Sequence, residues 1–199
     1  MRNWQRNAAV IAVTIFVPLL SEQALAQNLL TNPHFDSSLD GWSFFPTPPP
    51  PPGTAQVFWT STFNHDEEGT GAGGSIHLAT STTESFGAQC VPINTSETYA
   101  ASAWVYSTCV GSRFYVFWAS QDDCKDTGDF AAVNVRTTKA NVWEQVSLSA
   151  IPASTPKAAT KAVVTLVNPG GCSDGAYFDD VFFGPEEIFS DNFEGDALL

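Results

Sequence analysis

Short apolar runs alternate with turn-forming segments along most of the chain, and no long window shows the 3.6-residue apolar period of an amphipathic helix. The runs are rich in Val, Phe, Tyr, Trp and Thr, whereas Gly, Pro, Asn, Asp and Ser fill the segments between them. They lie at 74–80, 85–93, 98–107, 112–120, 129–136, 142–149, 161–168 and 176–184. Short strands at this spacing predict an all-β fold, an antiparallel β-sandwich or barrel.

The first 26 residues differ from the rest. Arg2 and Arg6 precede an apolar run from Ala8 to Leu20, and the small residues Ala24 and Ala26 follow it. The run is shorter than the about 20 residues that a membrane-spanning helix needs. We therefore expect 1–26 to be a secretory signal peptide rather than an anchor, and the protein to be secreted or periplasmic, with attachment to the cell surface left open.

Composition narrows the choice of partners. The 199 residues include 8 Lys and Arg against 21 Asp and Glu, for a formal charge of −13. So few cations do not form a nucleic-acid-binding patch, and an anionic membrane surface repels such a chain. The 15 Phe and 6 Trp exclude a disordered acidic protein. We expect one monomeric domain over 27–185, with no nucleic-acid partner and no membrane insertion after signal cleavage.

Two segments fall outside the strand pattern. Residues 46–53 are almost all proline and predict a stiff surface loop, with a ligand for a proline-reading groove as the alternative. Residues 186–199 form an acidic C-terminal tail. Part of this tail, Ile188 to Glu194, resembles the end of many exported proteobacterial proteins, and a disordered acidic end is the alternative reading.

A set of motifs in a fixed order carries a family resemblance. They are Asn28-Leu29-Leu30-Thr31-Asn32-Pro33-His34-Phe35-Asp36, Gly41-Trp42, Gly74-Ser75-Ile76-His77-Leu78, Phe86-Gly87-Ala88-Gln89-Cys90-Val91, Thr98 to Trp104, Trp143-Glu144-Gln145-Val146-Ser147 and Ala176-Tyr177-Phe178-Asp179-Asp180-Val181. In order and spacing they resemble the carbohydrate-binding modules of CenC type. The resemblance covers about 28–184 and implies a galactose-binding-like jelly roll. It implies a polysaccharide or other glycan as the partner less strongly, because fold does not give function.

Modules of this kind bind sugars by stacking aromatic rings on pyranose faces. Alternation along 98–107 puts small aliphatic residues on one face and Trp104 and Tyr106 on the other, which makes the latter a candidate ligand face. On the next strand the outward set is either Tyr115 and Phe117 or Phe114, Val116 and Trp118. The candidate ligand residues are Trp104, Tyr106, Tyr115, Trp118 and Trp59; the alternative places all these rings in the core.

The resemblance also implies a structural Ca²⁺ that joins the two ends of the domain. The matching positions are Asp36 in the opening motif and Asp179 in the closing one, and backbone carbonyls would complete the oxygen shell. In the alternative, Asp36 caps a turn and Asp179 accepts backbone hydrogen bonds.

Four cysteines in an exported chain predict two disulfides. The expected strand order brings Cys90 and Cys124 to one end of the sandwich. This favours Cys90–Cys124 and leaves Cys109–Cys172, one of three possible pairings.

Catalytic signatures are lacking in the sequence. Gly73-Gly74-Ser75-Ile76-His77 fails the nucleophile-elbow pattern at its last position, and neither a zinc-protease motif nor a phosphate-binding loop occurs. We expect a non-catalytic glycan-binding module. The alternative is an exported structural or protein-interaction sandwich without a sugar ligand.

Overall fold

The computed structural model of the chain describes residues 27–45, 56–65, 73–79, 84–120, 124, 132–153, 159–172 and 174–186. Within these ranges it contains ten β-strands and no helix, so nothing in them is a helix able to span a membrane. The strands are β1 (Ser43–Phe45), β2 (Gln56–Thr60), β3 (Ser75–Ala79), β4 (Ser85–Pro92), β5 (Thr98–Ser107), β6 (Arg113–Ala119), β7 (Ala132–Arg136), β8 (Trp143–Pro152), β9 (Lys161–Asn168) and β10 (Ala176–Pro185).

The strands form two five-stranded sheets. The first sheet has the order β1-β4-β9-β6-β7 and the second has the order β2-β3-β10-β5-β8. Every pairing is antiparallel. The sheets pack face to face around one apolar core, which confirms the antiparallel β-sandwich of jelly-roll type.

Alternating side chains of both sheets fill the core. On β5 the small residues Ala101 and Ala103 point inward, as the pattern predicts. On β6 the inward set is Phe114, Val116 and Trp118, each at most 2% exposed. The prediction that Trp118 contacts a ligand is therefore wrong, because both faces of β6 are apolar and this ring belongs to the inner one.

The opening segment closes one edge of this core by running along β10. The amide of Leu29 donates to the carbonyl of Phe183, and the amide of Val181 donates to the carbonyl of Pro33. Phe35 is fully buried, and its ring lies 5.3 Å from that of Trp42. Trp42 is thus a core residue.

The eight predicted runs correspond to β3 through β10, with ends that differ by a few residues. β1 and β2 were not predicted, because they are short and flank the proline run. The proline segment 46–53, the predicted signal peptide 1–26 and residues 187–199 of the tail lie outside the described residues.

Candidate functional site

The outer face of the first sheet carries a groove of about 540 Å³. Its lining comes mainly from the outward side chains of β4, β9 and β6: Phe86, Ala88, Val163, Thr165, Val167, Arg113, Tyr115 and Phe117, with Glu84 and Cys124 beside them. Strand register places Ala88, Thr165 and Tyr115 in one row across the three strands. The short side chains of Ala88 and Thr165 make the floor, and larger residues stand on both sides of it.

One side of the groove is aromatic. Tyr115 and Phe117 are two residues apart on β6, so both point outward while Phe114 and Val116 enter the core. Their ring centroids are 5.2 Å apart with an angle of 15° between the planes. Both rings are half-buried and line the groove, where they present apolar surface held in place by the strand.

One end of the groove is polar. Nη1 of Arg113 lies 3.4 Å from Oε1 of Glu84 and 3.2 Å from the hydroxyl oxygen of Tyr115. Nε of Arg113 is buried and has no hydrogen-bond partner among the described residues. The end of the groove therefore offers a cation with a carboxylate and a phenol hydroxyl within its hydrogen-bonding reach.

The outer face of the second sheet carries a row of aromatic rings, one from each strand. Consecutive members of the row are register partners. The row consists of Phe58, His77, Tyr177, Tyr106 and Trp143. Trp104 lies on the same face, two residues before Tyr106, so alternation predicts the outward orientation of both residues correctly.

Residues 61–65 lie across this row. The ring of Phe63 is 4.6 Å from that of Tyr177 and 4.7 Å from that of Tyr106. The ring of His65 stacks on Trp104, with centroids 3.8 Å apart and planes 12° apart. His65 thus covers a face of Trp104 that a stacked sugar would need, and Phe63 packs against Tyr106.

The structure does not bring the five predicted ligand residues into one site. Tyr115 is in the groove, whereas Trp104 and Tyr106 lie on the opposite sheet. Trp118 is in the core, and Trp59 packs against the core with its indole N–H donating to the carbonyl of Phe35 at 2.6 Å.

Other groove residues were not predicted as ligand contacts. Four of them are Glu84, Phe86, Arg113 and Phe117. Phe117 was signalled by its alternation with Tyr115. No local signal marks the other three, because they meet through the pairing of distant strands.

The two candidate metal ligands are in different environments. Asp36 is exposed, whereas Asp179 is 2% exposed and accepts hydrogen bonds from the backbone amides of His65 and Asp180, both at 2.8 Å. Burial, followed by the charge of Asp180, raises the pKa of Asp179 to about 7. These contacts match the alternative given above, in which Asp179 accepts backbone hydrogen bonds.

The neighbouring Asp180 lies between two histidines. Its Oδ1 is 2.8 Å from Nδ1 of His34, and its Oδ2 is 3.3 Å from Nδ1 of His65. The hydrogen bond to Asp180 is the main cause that raises the pKa of His34 above its ordinary value. Asp180 has a φ of 46° at a β-bulge, a left-handed conformation that Asp tolerates better than most residues.

The described residues give the calcium prediction little support. Among them no group of three or more His, Cys, Asp or Glu side chains is placed to hold a metal ion. Ca²⁺ takes six to eight oxygen ligands, and the side chains of Asp36 and Asp179 supply only a small part of such a shell. Calcium binding stays a prediction, which a melting shift on adding millimolar Ca²⁺ to chelator-treated protein would test.

Two disulfides join the same cysteines as the expected pairing, Cys90–Cys124 and Cys109–Cys172. Their Cα atoms are 6.2 Å and 5.4 Å apart, within the usual range. Cys90 is on β4, and its partner Cys124 lines the groove. One covalent link therefore anchors the groove rim to the sheet.

Comparison with solved structures places this architecture among sugar-binding modules and at least one enzyme. A family 61 carbohydrate-binding module solved in complex with β-1,4-galactotriose is 17% identical over 81% of this chain and 100% of its own, with a TM-score of 0.54. The CBM22-1 xylan-binding domain from Paenibacillus barcinonensis is 12% identical over 81% and 96%, with a TM-score of 0.54. A cyclase from Fischerella sp. TAU is 13% identical over 81% and 98%, with a TM-score of 0.56.

These identities show a shared fold and no more. No protein-family model matches the chain, and no curated protein matches it. The chain is a β-sandwich with an aromatic-walled groove on one sheet, and the sandwich fold is one that carbohydrate-binding modules share.

Proposed function

We propose that the chain is an exported, non-catalytic glycan-binding module whose ligand lies in the groove of the first sheet. The observation that carries this proposal is the groove itself, in which Tyr115 and Phe117 flank a floor of short side chains. Aromatic rings offer apolar area to the C–H face of a pyranose ring. Arg113, Glu84 and the Tyr115 hydroxyl supply the few polar groups that orient a ligand in such a site.

Two further features support the proposal. A glycosidase needs two carboxylates across its cleft, about 5–10 Å apart, and Glu84 is the single carboxylate among the described groove-lining residues. The two disulfides fit an oxidising compartment, in agreement with the expected signal peptide. The ligands of the similar modules, a β-1,4-galactotriose and xylan, are the first probes to use.

Calorimetric titration with neutral oligosaccharides of these two types tests the proposal. We expect Phe117→Ala to weaken binding about tenfold or more, because it removes one ring of the aromatic wall. Trp104→Ala, on the second sheet, is the control and should keep the affinity of the unmodified chain. If Trp104→Ala weakened binding and Phe117→Ala did not, the ligand site would lie on the second sheet. Absence of glycan binding by the folded, oxidised protein would favour the protein-interaction alternative.

A further inference from the structure

A pair of cations lies at the polar end of the groove: Arg113, which lines it, and Arg136, on the neighbouring strand. Beyond the predicted signal peptide the sequence contains only two arginines, Arg113 and Arg136. Antiparallel pairing of β6 with β7 places them directly opposite each other at the end of the two strands. Directly opposed residues share a face of the sheet with Cβ atoms about 4.5–5.5 Å apart, so both arginines belong to the outer face that carries the groove.

Among the described residues, the two arginines outnumber the carboxylates that pair with them. Among the described residues, Glu84 is the only carboxylate that forms an ion pair with Arg113, and none pairs with Arg136. Arg136 is exposed, and Arg113 is 28% exposed at its side chain. Like charges directly opposite each other destabilise a sheet. An anion bound between the two guanidinium groups would relieve this repulsion.

Guanidinium chemistry limits what this anion is. Arg presents five N–H donors in a planar fork that matches a carboxylate, and only Nη1 of Arg113 has described acceptors. A planar carboxylate on a sugar ring would face Nη2 of Arg113 and the donors of Arg136 while the ring itself lies toward Tyr115, because Nε of Arg113 is buried. The strongly acidic chain as a whole repels anions, so this attraction is local to the two arginines.

We propose that this end of the groove binds a uronate residue of an acidic glycan, with Arg113 and Arg136 holding its carboxylate. The inference rests on the proposed function, because it assigns the ligand class of that same groove. Glu84 competes with the ligand carboxylate for Arg113 and so limits the affinity.

A chemically matched ligand pair tests this inference. The probes are trigalacturonate and the same trisaccharide after reduction of its carboxyl groups to primary alcohols. Titration calorimetry should show at least tenfold weaker binding of the reduced form. Arg136→Gln should bring the affinity for the uronate down to that for the reduced form, and Glu84→Gln should strengthen uronate binding.

A charge-matched control separates a specific site from general attraction. Lys161 begins β9 on the same outer face, six residues from Val167, which is the register partner of Arg113. At about 3.3 Å per residue it lies about 20 Å from this end, beyond the residues that line the groove. Lys161→Gln should leave uronate affinity unchanged. Equal losses of uronate affinity in Lys161→Gln and Arg136→Gln would overturn the inference.

Two other outcomes are also decisive. If the reduced and native trisaccharides bind equally, or only neutral glycans bind, the uronate site is wrong and the glycan-binding proposal stands. If neither acidic nor neutral glycans bind, the glycan-binding proposal fails as well.

In the glycan-free protein, Arg136→Gln should keep or raise the melting temperature, because it removes a like-charge pair. A lower melting temperature would show a structural role for Arg136 instead.

Discussion

Two neighbouring rings on β6 have opposite roles because successive side chains of a strand point to opposite faces. Phe117 lines the groove, whereas Trp118 is 2% exposed in the core, with its ring 6.1 Å from that of Tyr99. Truncating a large buried aromatic residue leaves a cavity and commonly destabilises a protein by about 3–5 kcal/mol. We expect Trp118→Ala to lower the free energy of unfolding by this amount, measured by urea denaturation.

Phe117→Ala is the matched control for this prediction. It should lower the free energy of unfolding clearly less, because its ring is half-buried on the outer face. Equal losses in the two variants would contradict the assignment of Trp118 to the core and of Phe117 to the groove.

For a single residue, the alternating pattern predicts which face of the sheet its side chain occupies only where the two faces differ in composition. On β5 the small residues Ala101 and Ala103 alternate with Trp104 and Tyr106, and the pattern identifies the outward pair correctly. On β6 both alternating sets are apolar, so period-2 alternation leaves the face undecided. The placement of Trp118 required the position of the opposite sheet, which no local pattern contains.

At the element scale, the register of three strands creates the groove. Gly87 and Ala88 of β4 pair with Leu166 and Thr165 of β9, and Thr165 pairs with Tyr115 of β6. Ala88 points outward and is half-buried, so a larger side chain there would fill the groove without entering the core. We expect Ala88→Phe to abolish glycan binding in calorimetric titration while changing the free energy of unfolding by only about 0.5 kcal/mol, as for most surface substitutions.

Gln145→Phe is the control for Ala88→Phe, because Gln145 is exposed on the second sheet. It adds a ring of the same size and should leave glycan binding intact. Unchanged binding in Ala88→Phe would show that the ligand does not occupy the groove.

Most of the β-strands could be predicted from the sequence, but the pairing of one strand with another could not. Runs such as 98–107 and 161–168 match β5 and β9 in both ends. The pairing of β4 with β9 joins strands about 70 residues apart, and such distant contacts leave no local signature. The same holds for the position of residues 61–65 over Trp104, which redirects the candidate site from the second sheet to the first.

At the scale of the whole molecule, one buried carboxylate links stability to pH. Asp179 has a pKa of about 7 in the folded chain against an ordinary value of 3.8, because burial and the charge of Asp180 disfavour ionisation. The sequence shows two adjacent acids in an apolar strand. The two backbone amides that donate to Asp179 could not be predicted from it, because one of them belongs to the distant residue His65. Between about pH 4 and pH 7 the folded state binds more protons than the unfolded state, so stability falls as the pH rises.

Two histidines modify this dependence in opposite directions. The raised pKa of His34 adds stability that is present below pH 6.5 and is lost as the pH rises through its folded value. The pKa of His77 is lowered by burial, so its contribution is lost as the pH falls below 6.5. Asp179 lowers stability as the pH rises from about 4 to 7, and the raised pKa of His34 acts in the same direction. The combined dependence should therefore favour acidic conditions.

We expect the melting temperature to fall between pH 5 and pH 8, followed by circular dichroism at constant ionic strength. Asp179→Asn should flatten this slope, because an amide does not titrate, although the loss of one hydrogen-bond acceptor can shift all its melting temperatures together. Asp40→Asn removes an exposed carboxylate and should keep the slope of the unmodified chain. If Asp179→Asn and the unmodified chain had equal slopes, the pH dependence would come from elsewhere. A melting temperature that rises toward pH 8 in the unmodified chain would contradict the raised pKa of Asp179 as the main source of the pH dependence.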